Sequence, residues 1–368
     1  MDAPAKTRLL SIDAFRGLTI AAMILVNDPG TWSAVYAPLE HAEWNGWTPT
    51  DLVFPFFLFL VGTSMVFSFS SRRERGSTSR ELLRHTLRRS LYIYGIGLAL
   101  HLYPFTLRRI EHVRVMGVLG RIALCYFLGS LIYLYCSRRV RGAIVAVILV
   151  GYWLMMRFIP VPGFGAGDLS PFGNLAAYID RMVLGTHIWK PMWDPEGLLS
   201  SLPAIATLLL GTYCGEWLRE VRPAMVKVYG LLGTGLFGLV VGELLHPYFP
   251  INKNLWTSTY VIFTAGFACV LLALFYWLID VQGWKRWVMP LEVFGANAIL
   301  SFSIATFVIK QMIITNIGKH SVLEQVYRHL FAPLAAPKMS SLLFALAFTF
   351  FIWIIMLGFY RKKVFLKV

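Results

Sequence analysis

From Leu52 to Ser70 the chain runs without a charged residue. A run of this length matches the hydrocarbon thickness of a bilayer, where a helix satisfies every backbone N–H and C=O within the segment itself. The residues before it read as a helix start. Thr48 serves as N-cap, Pro49 as the first helical residue, and Asp51 as the acid of the first turn beside the positive end of the helix dipole. The helix therefore begins at the polar, Trp-rich segment 27–50 and places its one histidine, His41, at a face of the membrane.

Similar apolar runs occur near 10–27, 88–104, 115–135, 142–159, 198–217, 228–246, 257–278, 291–310 and 340–360. With 52–70 they predict an all-α bundle of about ten transmembrane helices, forming a single domain over 1–368. Charged residues make up 14% of the chain, about half the share usual in soluble domains. A net charge of +15 would suggest nucleic acid in a soluble protein. Here Lys and Arg gather in short loops, where they act as topology signals, and no nucleic acid is expected. One set of loops holds Lys6 and Arg8, the cluster from Arg72 to Arg89, Arg138 to Arg141, Arg219 to Lys227, Lys285 and Arg286, and Arg361 to Lys367. The segment around His41 has no Lys or Arg, so both termini are expected in the cytoplasm and His41 outside. Arg108, Arg109 and Arg114 depart from this pattern by falling in an outward loop.

Asp13 and Arg16 interrupt the first apolar run and no small-residue cleavage site follows, so the N-terminus does not read as a cleaved signal. Cys125, Cys136, Cys214 and Cys269 lack paired spacing; buried thiols are expected, with no metal site. Two outward loops are long, 160–197 and 311–338, and loops of that length on one face commonly build a site. In the second, Val322, Leu323, Val326, Tyr327, Leu330 and Phe331 recur at helical spacing, as in an amphipathic helix lying on the interface.

Ionisable residues within spanning helices are expensive and point to function. Asp13 and Arg16, three residues apart, form either an i,i+3 pair or a site for the phosphates of an anionic cofactor. Asn27-Asp28-Pro29-Gly30 ends the first helix with turn chemistry. Arg121 lies deep in the fourth run and needs an anion unless it snorkels. Glu196, in Asp194-Pro195-Glu196-Gly197, is the best-placed partner for it, and otherwise a first-turn acid. Asn297 lies within the ninth run. Asn252, Lys253 and Trp256 share an outward loop whose amides and ammonium suit sugar hydroxyls, although a Trp there is commonly a belt anchor.

Taken together, Ser11-Ile12-Asp13-Ala14-Phe15-Arg16-Gly17, Val26-Asn27, His41-Ala42-Glu43-Trp44-Asn45-Gly46 and Thr50-Asp51-Leu52-Val53-Phe54-Pro55 closely resemble the lysosomal heparan-α-glucosaminide N-acetyltransferase family. The likeness is greatest to its bacterial relatives, often labelled N-acetylglucosamine-related membrane proteins. Gly117-Val118-Leu119-Gly120-Arg121, Asp194-Pro195-Glu196-Gly197, Asn252-Lys253-Asn254-Leu255-Trp256 and Asn297-Ala298-Ile299-Leu300 resemble further family blocks in the same order. The resemblance implies transfer of acetyl from cytoplasmic acetyl-CoA to an amino sugar on the far side of a bacterial inner membrane. It places the family's active-site histidine at His41 and its implicated asparagine at Asn27. It also implies that the lysosomal enzymes' extra luminal domain and preceding helix have no counterpart here, so a polymeric acceptor is not implied.

The chemistry of these residue types agrees. A thioester is already activated, so catalysis needs orientation, a proton acceptor and a donor to the carbonyl oxygen. Imidazole can accept the proton of an amino sugar's ammonium near neutral pH, or attack the thioester and carry the acetyl group itself. Both routes stay open from sequence. Asn27 is placed to donate to the oxyanion, and Asp51 or Glu43 to orient the ring, Asp51 being fixed by its helix start. Arg16, Arg121, Glu196 and Asn297 are the expected acetyl-CoA residues; Glu43, Trp44, Asn252, Lys253 and Trp256 are the expected sugar residues. The expected partners are acetyl-CoA, an amino sugar or glycan fragment and the lipid bilayer, with a homodimer left open. The competing function is a transporter for N-acetylglucosamine-type sugars, which the absence of an inverted repeat disfavours.

Overall fold

The computed structural model describes residues 9–365, apart from the side chains of Arg108 and Arg109. Lys6, Arg8 and Lys367, used above as topology signals, lie outside the described residues. All ten apolar runs fall in helices. In chain order these are α1 (Leu10–Asn27), α2 (Pro49–Arg73), α3 (Ser79–Leu102), the short α4 (Leu107–Glu111), α5 (Val118–Tyr135) and α6 (Arg138–Phe158). After the short α7 (Leu175–Leu184) come α8 (Ser201–Arg219), α9 (Ala224–Leu245) and α10 (Ser258–Phe275), the last continued by a π turn. Then follow α11 (Met289–Ala296), α12 (Ala298–Ile314), the short α13 (Val322–Val326) and α14 (Pro337–Arg361). The only strands among the described residues form two two-residue hairpins in loops.

Seven of these helices are long and apolar enough to cross a membrane, and α11 with α12 would make an eighth. Two further long helices, α3 and α8, fall short of that standard for a compositional reason. Arg80, Arg84, Arg88 and Arg89 fall inside α3, and Glu216 and Arg219 inside α8. The ninth run is broken at Asn297, where α11 and α12 meet at 85°.

Burial sorts the helices into layers. The apolar window of α2 is 78% buried, against 22% in α6 and in α9. A helix that is apolar all round yet exposed on one side is what a lipid-facing element requires. Centrally, α2 lies directly against α8: a Cβ added at Gly62 would meet the Leu208 carbonyl oxygen at 2.0 Å, and one at Gly211 the Phe59 carbonyl oxygen at the same distance. Small residues permit such approaches between membrane helices.

The two long loops are folded. Residues 160–200 carry one hairpin and α7, packed with Trp44 on a small apolar cluster around Tyr152, Phe249 and Leu255. In the second loop the apolar stripe does not lie out on an interface as one helix. It splits into α13 and a π turn, and Leu323, Val326, Tyr327 and Phe331 pack onto the main core while Leu330 stays exposed. Tyr327 covers Gly30 just beyond α1, where a Cβ would meet its ring at 2.5 Å.

Candidate active site

His41 is held by the start of α2. Asp51 Oδ1 lies 2.7 Å from His41 Nδ1, while its Oδ2 accepts from the backbone N–H groups of Ala42 and Thr48, both at 3.0 Å. The carboxylate is thus fixed by the helix cap, and Tyr260 donates to the Asp51 carbonyl from α10. A carboxylate accepting from Nδ1–H puts the ring's lone pair on Nε2, the arrangement needed for a base or a nucleophile. His41 keeps 43% of its side chain exposed, whereas Asp51 keeps 1%.

Lys253 completes this group from the loop before α10. Its Nζ stands 3.1 Å from each His41 ring nitrogen and 3.8 Å from Asp51 Oδ1. Burial lowers the Lys253 pKa, with the Asp51 charge opposing. Its neighbours in the loop serve differently. Asn252 is fully buried, donates to Asn45 Oδ1 at 3.1 Å and accepts from Leu255 N–H at 2.9 Å. Trp256, expected as a sugar or belt residue, is also fully buried, with its Nε1 donating to Thr207 Oγ1 and its ring against Phe54 and Tyr260. Asn252 braces the His41 loop through Asn45, while Trp256 is packed between α2, α8 and α10. Trp44 donates to the Leu169 carbonyl at 2.8 Å, and Glu43 is exposed.

The Arg121–Glu196 pair expected from sequence does not form. Arg121 is fully buried, donates to Gly197 O and Ser200 Oγ, and lies 5.0 Å over the Trp256 ring. Glu196 instead binds Arg114, which also grips Asp194 through Nε and Nη2. Burial works against the Asp194 charge, but the Arg114 contacts outweigh it and hold the carboxyl below the usual range. This accounts for Arg114 among the three arginines that depart from the loop-charge pattern. Arg114 is a structural cation, its side chain 13% exposed and held between Asp194 and Glu196.

At the opposite end of the bundle, Asp13 and Arg16 form the i,i+3 pair at 2.6 Å. Arg16 also donates to the Gly295 carbonyl at 2.8 Å and to Ser64 Oγ at 3.2 Å. Both line a cavity of about 300 Å³ that also reaches Asn297. The sequence pattern counts Arg89 among the loop charges. It lines this cavity, its guanidinium 5.1 Å over the Tyr126 ring, and its buried Nε finds no hydrogen-bond partner among the described residues.

A second cavity, of about 700 Å³, opens at the His41 end and includes Asn27 and Arg114 in its lining. Both cavities use α1, α3, α5 and α12. Ile93, Ile122 and Ile299 face the smaller one; Gly97, Leu119 and Phe302, three or four residues away on the same helices, face the larger. That spacing is about one helical turn, ~5.4 Å. Asn27 and His41 share no hydrogen bond, and His41 does not line the larger cavity. Among the described residues no group of His, Cys, Asp and Glu could hold a metal ion.

Two chambers stacked along four shared helices, with cations at one end and an oriented histidine at the other, lie within a helical bundle of the polytopic membrane class. The family model described as heparan-alpha-glucosaminide N-acetyltransferase, catalytic, matches residues 8–231, and the chain belongs to that family. It is 30% identical over 353 residues to the heparan-alpha-glucosaminide N-acetyltransferase of Homo sapiens, covering 80% of this chain and 52% of the human protein. The Mus musculus protein of that name is 29% identical over 350 residues, covering 80% and 53%. The chain therefore spans about half the length of these curated relatives. Asn252, Lys253, Trp256 and Asn297 lie beyond the region that the family model matches.

Proposed function

We propose that the chain is one transmembrane acetyltransferase domain that moves acetyl from cytoplasmic acetyl-CoA to a glucosamine-type amino sugar on the periplasmic face of a bacterial inner membrane. The observation that carries the reading is the oriented His41–Asp51–Lys253 group at one end of a bundle whose other end holds a cation-lined chamber on the same helices. In this reading the Arg16 end faces the cytoplasm, as the Arg-rich loops favour.

Arg16 and Arg89 receive the cofactor's phosphates, for which the Nε of Arg89, without a hydrogen-bond partner among the described residues, is chemically suited. A cavity of about 300 Å³ is at the lower bound for a ligand site, so it takes part of the cofactor, such as the diphosphate and the start of the pantetheine arm. Extension of that arm by one helical turn brings it toward the larger chamber and Asn27, which donates to the thioester oxygen as charge develops there. His41 Nε2 either takes the amine's proton or accepts the acetyl group, with Asp51 stabilising the ring's Nδ1–H in both cases.

Stacked chambers also suit a permeation path, which is the competing transporter reading. Purified protein given acetyl-CoA decides between them. Release of free CoA that depends on added glucosamine is expected; sugar uptake into vesicles without CoA release would favour transport.

A further inference from the structure

The larger chamber contains a carboxylate outside the His41–Asp51–Lys253 group. Asp28 follows Asn27 at the end of α1 and lines the cavity with only 8% of its surface exposed. Its backbone N–H closes α1 on the Ile24 carbonyl at 3.2 Å. No hydrogen bond or ion pair among the described residues reaches its carboxylate, and burial alone raises its pKa well above the usual carboxylate value. The cations that share the chamber are committed elsewhere. Arg114 is bound to Asp194 and Glu196, Lys310 donates to the Leu100 carbonyl, and His101 Nδ1 lies 2.9 Å from the Arg114 carbonyl. A buried carboxylate without a partner is costly, and a ligand that supplies a cation removes that cost.

We infer that Asp28 is the recognition group for the acceptor's ammonium, so that the chamber between α1, α3, α5 and α12 is the amino-sugar site. This rests on the acetyltransferase reading and adds to it a location and a basis for selectivity. About 700 Å³ lies within the range of small-ligand sites. Trp32 and Trp189, 64% and 61% exposed, frame the chamber with aromatic faces. The pairing holds the amine one residue from Asn27. Acetylation converts the ammonium into a neutral amide, which removes the ion pair and favours product release. A neutral sugar of the same shape lacks the charge and leaves Asp28 unpaired.

The test is calorimetric binding to the purified full chain, with glucosamine as probe, N-acetylglucosamine as its neutral counterpart and CoA as a control for the folded state. Wild type should bind glucosamine about 10–100-fold more tightly than N-acetylglucosamine, the range for a hydrogen bond to a charged group. Asp28→Asn should erase that preference while CoA binds unchanged, and Asp28→Glu should restore part of it. Equal glucosamine binding by wild type and Asp28→Asn would overturn the assignment and leave the acetyltransferase reading standing. Failure of wild type to bind glucosamine at all would overturn the amino-sugar reading itself. Should Asp28→Asn lose CoA binding, Thr306→Trp fills the same chamber from α12: loss of glucosamine with CoA retained supports the site, and unchanged glucosamine binding rejects it.

Discussion

The two ends of the bundle hold their charges in different ways. At the Arg16 end each charged group sits on a helix, and its partners lie on that helix or on helices packed beside it: Asp13 with Arg16, Ser64 and the Gly295 carbonyl opposite, Arg89 over Tyr126. At the His41 end the decisive contacts join loops across the sequence. Lys253 reaches His41 from 212 positions away, and Arg114 reaches Asp194 from 80. A helix fixes spacing by its own geometry, so a polyanion site can be built on it directly. A loop site needs tertiary braces, and the buried Asn252, bonded to Asn45, supplies one. Chemistry that requires one lone pair aimed at one atom is thus supported by many satisfied polar groups around an exposed ring.

Substitutions that separate the two ends sharpen this contrast. The largest effect is expected at Asp51, where one carboxylate both orients His41 and accepts from two backbone N–H groups. Asp51→Asn should lower acetyl transfer by roughly 10²–10⁴-fold, read as kcat/KM, with KM for acetyl-CoA little changed. Next is the buried ion pair behind the His41 loop. Asp194→Ala leaves Arg114 with Glu196 alone and should cost about 3–5 kcal/mol, measured as unfolding in detergent.

At the other end, Arg89→Gln removes a cation that has no partner at Nε, so stability should hold while KM for acetyl-CoA rises about tenfold and kcat stays near wild type. An unchanged KM would detach Arg89 from the cofactor. Smallest of all is Glu43→Gln: the residue is exposed and no hydrogen bond or ion pair among the described residues fixes it, so stability should move by less than about 0.5 kcal/mol. An activity loss as large as that of Asp51→Asn would show that the wrong carboxylate has been assigned to His41.

How much of this was legible in the sequence follows from the same contrast. Thr48, Pro49 and Asp51 are read correctly because a helix cap is a local pattern within four residues. Asp13 with Arg16 is legible for the same reason. The partner of Arg121 was misassigned because depth in a membrane is inferred from hydropathy, which cannot say which of two arginines an acid will meet. Arg89 was read as a topology signal since it ends a run of arginines, and only packing turns it inward. Asn252 and Trp256 looked like sugar-reading residues, yet the fold consumes their polar groups. The break at Asn297 gave no sign beyond a polar residue in an apolar run.

The central claim is that His41 carries out the transfer at one end while the cofactor is gripped at the other. The direct measurement is the rate of glucosamine-dependent CoA release by His41→Ala, beside its acetyl-CoA affinity. The expected result is a fall of at least about 100-fold in rate with affinity retained. A His41→Ala protein that acetylates glucosamine at the wild-type rate would contradict the account.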